Sequence, residues 1–188
     1  MATTSEMVDA HTFSLPYQGS IYTQTTICLI DGTCKLIVAA INRKVFCFEL
    51  SMSHCALPCG CVVVPQTKEL QFTYIPSGAE IISIDAFNHS NITDDFVIGI
   101  TIIKSGETGS PGQFPNIYSD WEPGSDLELD NLAQTCLSLE LDYVPYQLSH
   151  CRVNSGQDEE IVWLLGDSDR IIHTYRQEIC HNLYRTTL

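Results

Sequence analysis

The feature that most constrains the fold is a strand pattern that recurs along the chain. Residues 70–76 and 139–145 share one form, in which apolar and polar residues alternate and are followed by tyrosine, a β-branched residue and proline. The two prolines lie 69 residues apart (145 − 76). Alternation with a period of two favours a strand in both segments. A repeat of this length that is built from strands is typical of β-propeller blades.

Short apolar runs recur at nearly the same interval, around Val38, Ile98 and Val162. Each run belongs to a predicted hairpin of two antiparallel strands. In the first and third copies the connection is short, and in the middle copy it is long and rich in Gly and Ser. The predicted strand pairs are 36–41 with 45–48, 96–103 with 116–121, and 161–165 with 171–175.

These patterns predict an all-β protein whose fold class is a partial β-propeller of WD40-like blades. We expect antiparallel meanders forming about two to three blades without ring closure. The predicted divisions are a disordered N-terminus at 1–12, the partial propeller at 13–177 and a divergent C-terminal tail at 178–188. A cysteine-rich segment at 51–67 does not fit the pattern and is interpreted as an insertion loop.

One segment is ambiguous between helix and strand. Residues 127–136 place Leu129, Leu132, Ala133 and Cys136 at helical spacing, and Asp130 is a possible helix cap. Alternation from residue 137 to residue 143 favours a strand after that point.

The formal net charge of −14 comes from 23 acidic and 9 basic residues. Such a chain repels nucleic acid and anionic membrane surfaces, so neither is an expected partner. Lys35, Arg43 and Lys44 are a third of the basic residues, which makes them candidates for binding a partner protein. The alternative is that these residues belong to an ordinary solvated surface that binds no partner.

The N-terminal sequence lacks a signal peptide, and no apolar run reaches the length of a membrane-spanning helix. Nine cysteines, an odd number, indicate free thiols in a reducing compartment. We therefore expect a cytoplasmic protein without a transmembrane segment.

The sharpest chemical candidate is a cluster of four soft ligands, namely His54, Cys55, Cys59 and Cys61. Thiolates and an imidazole could hold zinc tetrahedrally. The spacing is poor, because a Cys-x-Cys pair strains a tetrahedral site and a second knuckle is missing. A cysteine-rich loop without metal is the preferred interpretation, so no cofactor is expected.

No pattern indicates catalysis. His150 and Cys151 are adjacent in a predicted strand, so their side chains point to opposite faces and cannot form a dyad. The Gly-rich loop at 106–112 lacks the Gly-Lys-Ser/Thr ending of a phosphate loop. Asp167 and Asp169 lack the remaining ligands of a calcium loop. We expect a protein that is not an enzyme.

Several segments resemble the kaptin family. They are 68–72, 74–76, 79–81, 83–85, 97–101, 109–111, 116–118, 122–125, 133–134, 139–141 and 172–175. The resemblance is weak over 13–48 and strong over 68–176. These are structural positions rather than a catalytic signature.

The resemblance implies a β-propeller of integrin-α style and a non-catalytic role. Kaptin proteins belong to the KICSTOR complex, which recruits the GATOR GTPase-activating complex to the lysosomal membrane. There they restrain TOR signalling during amino-acid or glucose shortage. The family is also associated with F-actin, at lamellipodia and in stereocilia. The alternatives for this chain are an actin-filament-binding cytoskeletal protein or a truncated, non-functional isoform.

The sequence departs from the family at residues 51–67 and after Arg176, and the family's C-terminal half is absent. An incomplete ring would leave one apolar flank uncovered and strand edges unpaired. We therefore expect an isolated chain that is marginally stable or needs a partner to cover that flank. The loop at 104–115 and the acidic segment at 119–130 are further candidates for partner contact.

Overall fold

The computed structural model describes residues 14–54, 61–105, 112–119, 128–155, 158–178 and 183–187. Within these residues the chain forms twelve strands and one helix of four residues. Their bounds are β1 Gly19–Cys28, β2 Cys34–Ala40, β3 Lys44–His54, β4 Cys61–Leu70, β5 Ala79–Asn88, β6 Phe96–Lys104, β7 Gly112–Ser119, α1 Leu129–Leu132, β8 Cys136–Ser138, β9 Pro145–Ser155, β10 Asp158–Asp167, β11 Ile172–Glu178 and β12 Leu183–Thr187.

The strands form three four-stranded antiparallel sheets, β1–β4, β5–β8 and β9–β12, each with its strands in chain order. The first strand of each sheet lies against the first strand of the next, β1 against β5 and β5 against β9. This is the arrangement of successive propeller blades. The prediction of an all-β, partial propeller is confirmed. The apolar runs around Val38, Ile98 and Val162 are the second strands of the three sheets.

The apolar side chains of β2 and β3 explain why this hairpin lies inside the fold. Alternate residues point to opposite faces of a sheet, so strands that are apolar at every position must be covered on both faces. Ile37 and Val45 face the second sheet, and Phe46 and Phe48 face away from it, yet all four are buried. The apolar side chains on the outer face of the first sheet are therefore buried as well.

The second sheet contributes to two cores. Alternate residues of β6 divide between them: Ile98 and Ile100 pack towards the first sheet, and Val97 packs towards the third. Trp163 of β10 fills the second core and is only 1% exposed. Stacking of the three sheets is thus stabilised mainly by apolar burial on both faces of the middle sheet.

The predicted insertion loop at 51–67 is wrong where the structure describes it. Residues 51–54 extend β3 and residues 61–67 belong to β4, and the two strands pair as far as His54 opposite Cys61. Val62–Val64 is a run of β-branched residues, and such residues favour a strand over a loop. Residues 55–60 lie outside the described residues.

Most of the two repeated segments, residues 71–76 and 139–144, forms connections between sheets rather than strands, while Leu70 ends β4 and Pro145 begins β9. Thr73 and Tyr74 form a turn, and Leu141 makes a single bridge to Gln113. Their alternation reflects apolar side chains that anchor the connection: Phe72, for example, packs edge-on against Tyr118 with ring centroids 4.8 Å apart.

The predictions for the two ends of the chain have different outcomes. The predicted disordered segment at 1–12 lies outside the described residues. Part of the predicted tail, Leu183–Thr187, is strand β12 and pairs with β11, so it completes the third sheet instead of leaving it. Pairing of its backbone satisfies donors and acceptors that an edge would expose.

The segment that the sequence leaves ambiguous contains the short helix α1, and Asp130 lies in its first turn rather than at its cap, which is Glu128. The cysteines also depart from the expectation of free thiols. Cys28 and Cys34 form a disulfide at the turn end of the β1–β2 hairpin, where they are opposite each other in register. Cys47, Cys136 and Cys151 are free.

Candidate interaction surface

A hydrogen-bonded chain of three side chains joins the first strands of the three sheets. Asp85 on β5 accepts a hydrogen bond from Thr25 on β1 at 3.4 Å, and its other carboxylate oxygen lies 2.7 Å from Nδ1 of His150 on β9. The His150 ring also packs against Phe87, with ring centroids 5.0 Å apart. The two hydrogen bonds of Asp85 therefore connect each sheet to the next.

A second polar contact joins the middle and third sheets in a fully buried position. The hydroxyl groups of Ser83 and Thr101 lie 2.6 Å apart, and the backbone N–H of Leu148 donates to Ser83 Oγ at 2.9 Å. Ser83 and Thr101 are both 0% exposed. Buried polar groups require such partners, so this contact is structural.

The third cluster lies in the third sheet. His173 stacks on Tyr143 with ring centroids 4.1 Å apart, and its Nε2 lies 2.5 Å from a carboxylate oxygen of Asp167. The other oxygen of Asp167 accepts the backbone N–H groups of Asp169 and Ile171, which fixes the β10–β11 turn. The hydroxyl of Tyr143 contacts that of Tyr175. Burial raises the pKa of Tyr143, so its hydroxyl stays protonated.

The connection between the first two sheets is held by hydrogen bonds from the second. Tyr118 donates its hydroxyl to the carbonyl of Thr73 at 2.6 Å, and Asn116 Nδ2 donates to the carbonyl of Tyr74 at 3.1 Å. Burial raises the pKa of Tyr118, and it raises the pKa of the neighbouring Cys136 to about 11. Both groups are therefore neutral at physiological pH.

The three basic candidates do not form one patch. Lys35 lies near the start of β2 and pairs with Glu49 at 2.6 Å, while Arg43 and Lys44 follow the end of that strand. Five residues of strand, about 17 Å, separate the two positions. Lys44 pairs with Glu69, and the hydrogen bond between them raises the pKa of Lys44. Arg43 Nη1 donates to the carbonyl of Ile75 at 2.9 Å.

At the end of the first sheet where Arg43 lies, three large side chains remain exposed. Tyr74 is 64% exposed, Ile41 is 47% exposed and Tyr17 is 37% exposed. The turn and the connection that carry them are joined by the Arg43–Ile75 hydrogen bond. Exposed tyrosine and arginine are residue types enriched at protein–protein contacts. This surface therefore suits recognition of a protein better than chemistry on a small molecule.

The zinc candidates are only partly visible. Cys55 and Cys59 lie outside the described residues, and His54 and Cys61 are opposite each other at the end of the β3–β4 pair. In the described part of the chain, no three His, Cys, Asp or Glu side chains are grouped to hold a metal ion. A cysteine-rich segment without metal stays the prediction for these four residues. Residues 106–111 of the loop at 104–115 and residues 120–127 of the acidic segment at 119–130 lie outside the described ranges, so the role of both segments stays a prediction.

Between the middle and third sheets lies a cavity of about 10 Å³, lined by Pro115, Ile117, Leu139, Leu148, Trp163, Leu165 and Tyr175. That volume corresponds to a single water molecule, and the lining is apolar.

Within the described ranges, no helix has the length and hydropathy needed to cross a membrane.

Sequence reasoning missed the contacts between sheets, although the repeat contains their signal. The partners are separated by nearly one repeat: 60 residues for Thr25 and Asp85, and 65 residues for Asp85 and His150. Ser83 and Leu148 are also 65 residues apart. Equivalent positions on successive first strands lie side by side, so polar residues spaced by the repeat length are candidates for such contacts.

Comparison with known proteins identifies the family. A family model described as KICSTOR complex protein kaptin matches residues 7–187. The Mus musculus protein named KICSTOR complex protein kaptin is 45% identical over 148 residues, which are 78% of this chain and 33% of the mouse protein. The chain thus spans about a third of the length of that relative. No solved structure shows significant similarity to this chain. With a family match over nearly its whole length, this chain belongs to the kaptin family.

Proposed function

We propose that this chain is a non-catalytic scaffold component of the KICSTOR complex. In this role it helps to recruit the GATOR GTPase-activating complex to lysosomes and so restrains TOR signalling when amino acids or glucose are scarce. The observation that carries the proposal is the family match over residues 7–187. The mouse relative bears the name of a KICSTOR complex protein.

The use of polar residues in the described sheets supports a scaffold role. Asp85, His150, Asp167 and His173 are the residue types that general acid–base catalysis employs. In this fold the two carboxylate–imidazole pairs join strands or fix a turn. Their geometry is explained by the packing of blades, while the exposed tyrosine and isoleucine side chains offer a surface for partners.

Binding of F-actin has less support. Actin filaments are acidic, so an acidic chain needs a local basic face to bind them. Of the three basic candidates, Lys35 and Lys44 are paired with Glu49 and Glu69. Cosedimentation with filaments, compared with the variant in which Lys35, Arg43 and Lys44 are all replaced by Glu, measures whether the remaining charge suffices.

Affinity isolation from cells tests the scaffold proposal. The 188-residue chain and the full-length mouse relative are expressed separately with the same tag, and their partners are identified by mass spectrometry. Recovery of KICSTOR subunits with both proteins supports the proposal. Recovery of those subunits with the mouse protein but only chaperones with this chain would contradict it.

A second assay tests signalling and location. Cells that lack kaptin are supplied with this chain or with the mouse relative and then deprived of amino acids. We expect this chain to colocalise with lysosomes and to restore the fall in phosphorylation of TOR substrates. Phosphorylation that stays high with this chain and falls with the mouse protein would count against the signalling role.

A further inference from the structure

The connection between the first and second sheets holds a tyrosine in a strained backbone conformation. Tyr74 has a φ of 62°, and the neighbouring turn residues Asn42 and Arg43 have φ values of 62° and 61°. Asparagine tolerates this left-handed region, but a bulky residue such as tyrosine does so only at an energetic cost. Strain of this kind persists where the surrounding structure imposes it, and it is common at functional sites.

Hydrogen bonds impose the conformation of Tyr74 through its backbone, not through its side chain. Its carbonyl accepts Asn116 Nδ2, and the carbonyls on either side, of Thr73 and Ile75, accept Tyr118 and Arg43. The Thr73 N–H donates to the carbonyl of Ala133 at 3.0 Å. The backbone is thus fixed from two sheets while the phenol ring is left 64% exposed.

The connection between the second and third sheets shows that a tyrosine at this position of the repeat need not be exposed. Tyr143 occupies the position that corresponds to Tyr74, four residues after the first apolar residue of its segment and two before Pro145, as Tyr74 is two before Pro76. Its ring stacks on His173 and its hydroxyl contacts Tyr175, so it is largely withdrawn from solvent. The same position therefore holds an anchored ring in one connection and a presented ring in the other.

Two further exposed side chains belong to the same end of the first sheet. Ile41 belongs to the β2–β3 turn, and its backbone N–H donates to the carbonyl of Gln18 at 2.9 Å, which brings the adjacent Tyr17 to the same edge. We define the Tyr74 surface as Tyr17, Ile41, Arg43 and Tyr74. The backbone of Tyr74 and the side chain of Arg43 are held by hydrogen bonds before any partner arrives, and such preorganisation lowers the entropic cost of association.

The charge of the Tyr74 surface differs from that of the chain. The chain carries a net charge of −14, but Arg43 contributes a positive charge here and the adjacent Lys44 is balanced by Glu69. A segment that approaches this edge therefore meets apolar groups around one cation. Carboxylates complement a guanidinium better than any other side chain does.

We propose that the Tyr74 surface is a preformed docking site for a protein segment that presents apolar side chains next to a carboxylate. The inference rests on the proposed function, because it takes that segment to belong to another KICSTOR subunit. Tyr74 supplies the central apolar contact, Ile41 and Tyr17 extend it, and Arg43 both fixes the connection and pairs with the carboxylate.

Binding measurements with purified components test the site. The remaining KICSTOR subunits are immobilised, and the dissociation constant of the chain is measured by biolayer interferometry. We expect Tyr74→Gly and Tyr74→Asn to weaken binding about ten-fold or more, as loss of a central aromatic contact does. Their melting temperatures should not fall, because glycine and asparagine fit a positive φ better than tyrosine.

Matched variants separate this surface from general effects. Arg43→Glu should weaken binding, whereas Arg170→Glu should not, although Arg170 is also an exposed turn residue with a positive φ of 66°. Ile41→Ser should weaken binding more than Ile92→Ser, because Ile92 is 87% exposed at the opposite end of the sheets.

The outcomes distinguish the two proposals. Wild-type binding that is unchanged by the Tyr74 variants overturns the docking site and leaves the scaffold function standing. Weakened binding accompanied by lower melting temperatures in both Tyr74 variants also overturns the docking site, since the ring would then be structural. Failure of the wild-type chain to bind the subunits, in an assay where the mouse relative binds them, overturns both proposals.

Discussion

Gly99 on β6 lies so close to Trp163 on β10 that a Cβ atom at residue 99 would be 2.8 Å from Cη2 of the indole ring. It would also be 2.5 Å from Cδ2 of Leu148 on β9. Real Cβ contacts are not this short, so glycine is what allows the middle and third sheets to approach each other. The packing of the two blades therefore depends on the absence of a single methyl group.

The first prediction is that Gly99→Ala destabilises the fold. Overpacking of a closed core costs about 1–3 kcal/mol, and the Trp163 ring is 1% exposed and has little room to move. The free energy of unfolding is measured by urea titration followed by circular dichroism. Gly166→Ala is the matched control, because a Cβ there meets only the carbonyl of Gln147 at 3.9 Å. Equal effects of the two variants would contradict the prediction.

The second prediction concerns the buried Ser83 hydroxyl. Ser83→Ala removes the acceptor of the Leu148 N–H and the partner of the Thr101 hydroxyl, both in the interior. Leaving a buried donor unsatisfied costs about 1–3 kcal/mol. The same titration measures it, and Ser90→Ala serves as a control in a surface turn, where Ser90 accepts the N–H groups of Ile92 and Thr93. A larger loss in Ser90→Ala than in Ser83→Ala would be the contrary result.

The third prediction is that the Cys28–Cys34 disulfide stabilises the isolated chain. The bond closes a loop with a sequence separation of 6 residues. The restriction of the unfolded chain by a loop of that size is worth about 2 kcal/mol. Dithiothreitol should therefore lower the melting temperature of the wild-type chain. It should not change the melting temperature of the variant in which both cysteines are replaced by serine. If dithiothreitol changes the melting temperature of neither protein, the stabilising effect is ruled out.

The fourth prediction is a loss of stability in alkaline solution. Burial raises the pKa of Cys136 from 9.0 to about 11, so the unfolded chain releases this proton first. The contribution of the protonated thiol is complete below pH 9 and is lost as the pH rises through 11. The raised pKa of Tyr118 acts in the same direction. Free energies of unfolding between pH 7 and pH 11 should fall less steeply for Cys136→Ala than for the wild-type chain. A difference between the two proteins that stays constant over this range would refute the assignment.

The sequence predicts the repeat because burial on both faces leaves a continuous apolar run, as in β2, β6 and β10. It misassigns residues 71–76 and 139–144 because an anchored connection can alternate as a strand does. Phe72 packs on Tyr118 and Tyr143 packs on His173, with polar residues between the anchors facing out. A period of two reports which side chains are buried, and it does not report whether the backbone is paired.

The sequence names only one member of the proposed Tyr74 surface. Arg43 is a candidate by its charge, whereas Lys35 and Lys44 form ion pairs with Glu49 and Glu69 on neighbouring strands, and those pairs depend on strand register. The sequence around Tyr74 does not indicate its positive φ. That conformation is held by hydrogen bonds from Asn116 and Tyr118, which are 42 and 45 positions away from their acceptors Tyr74 and Thr73. Long-range contacts of this kind cannot be obtained from local periodicity.

The position of the β5–β8 sheet between two cores has a consequence for synthesis on the ribosome. The inner face of the first sheet, with Ile37 and Val45, has its covering surface only when the second sheet is complete. The chain must grow from Leu70, at the end of β4, to Ser138, at the end of β8, a distance of 68 residues (138 − 70). At a typical rate of 5–20 residues per second this takes roughly 3–14 s. During those seconds the apolar face of the first blade is open to any chaperone near the ribosome, whereas the third blade is made against a surface that already exists.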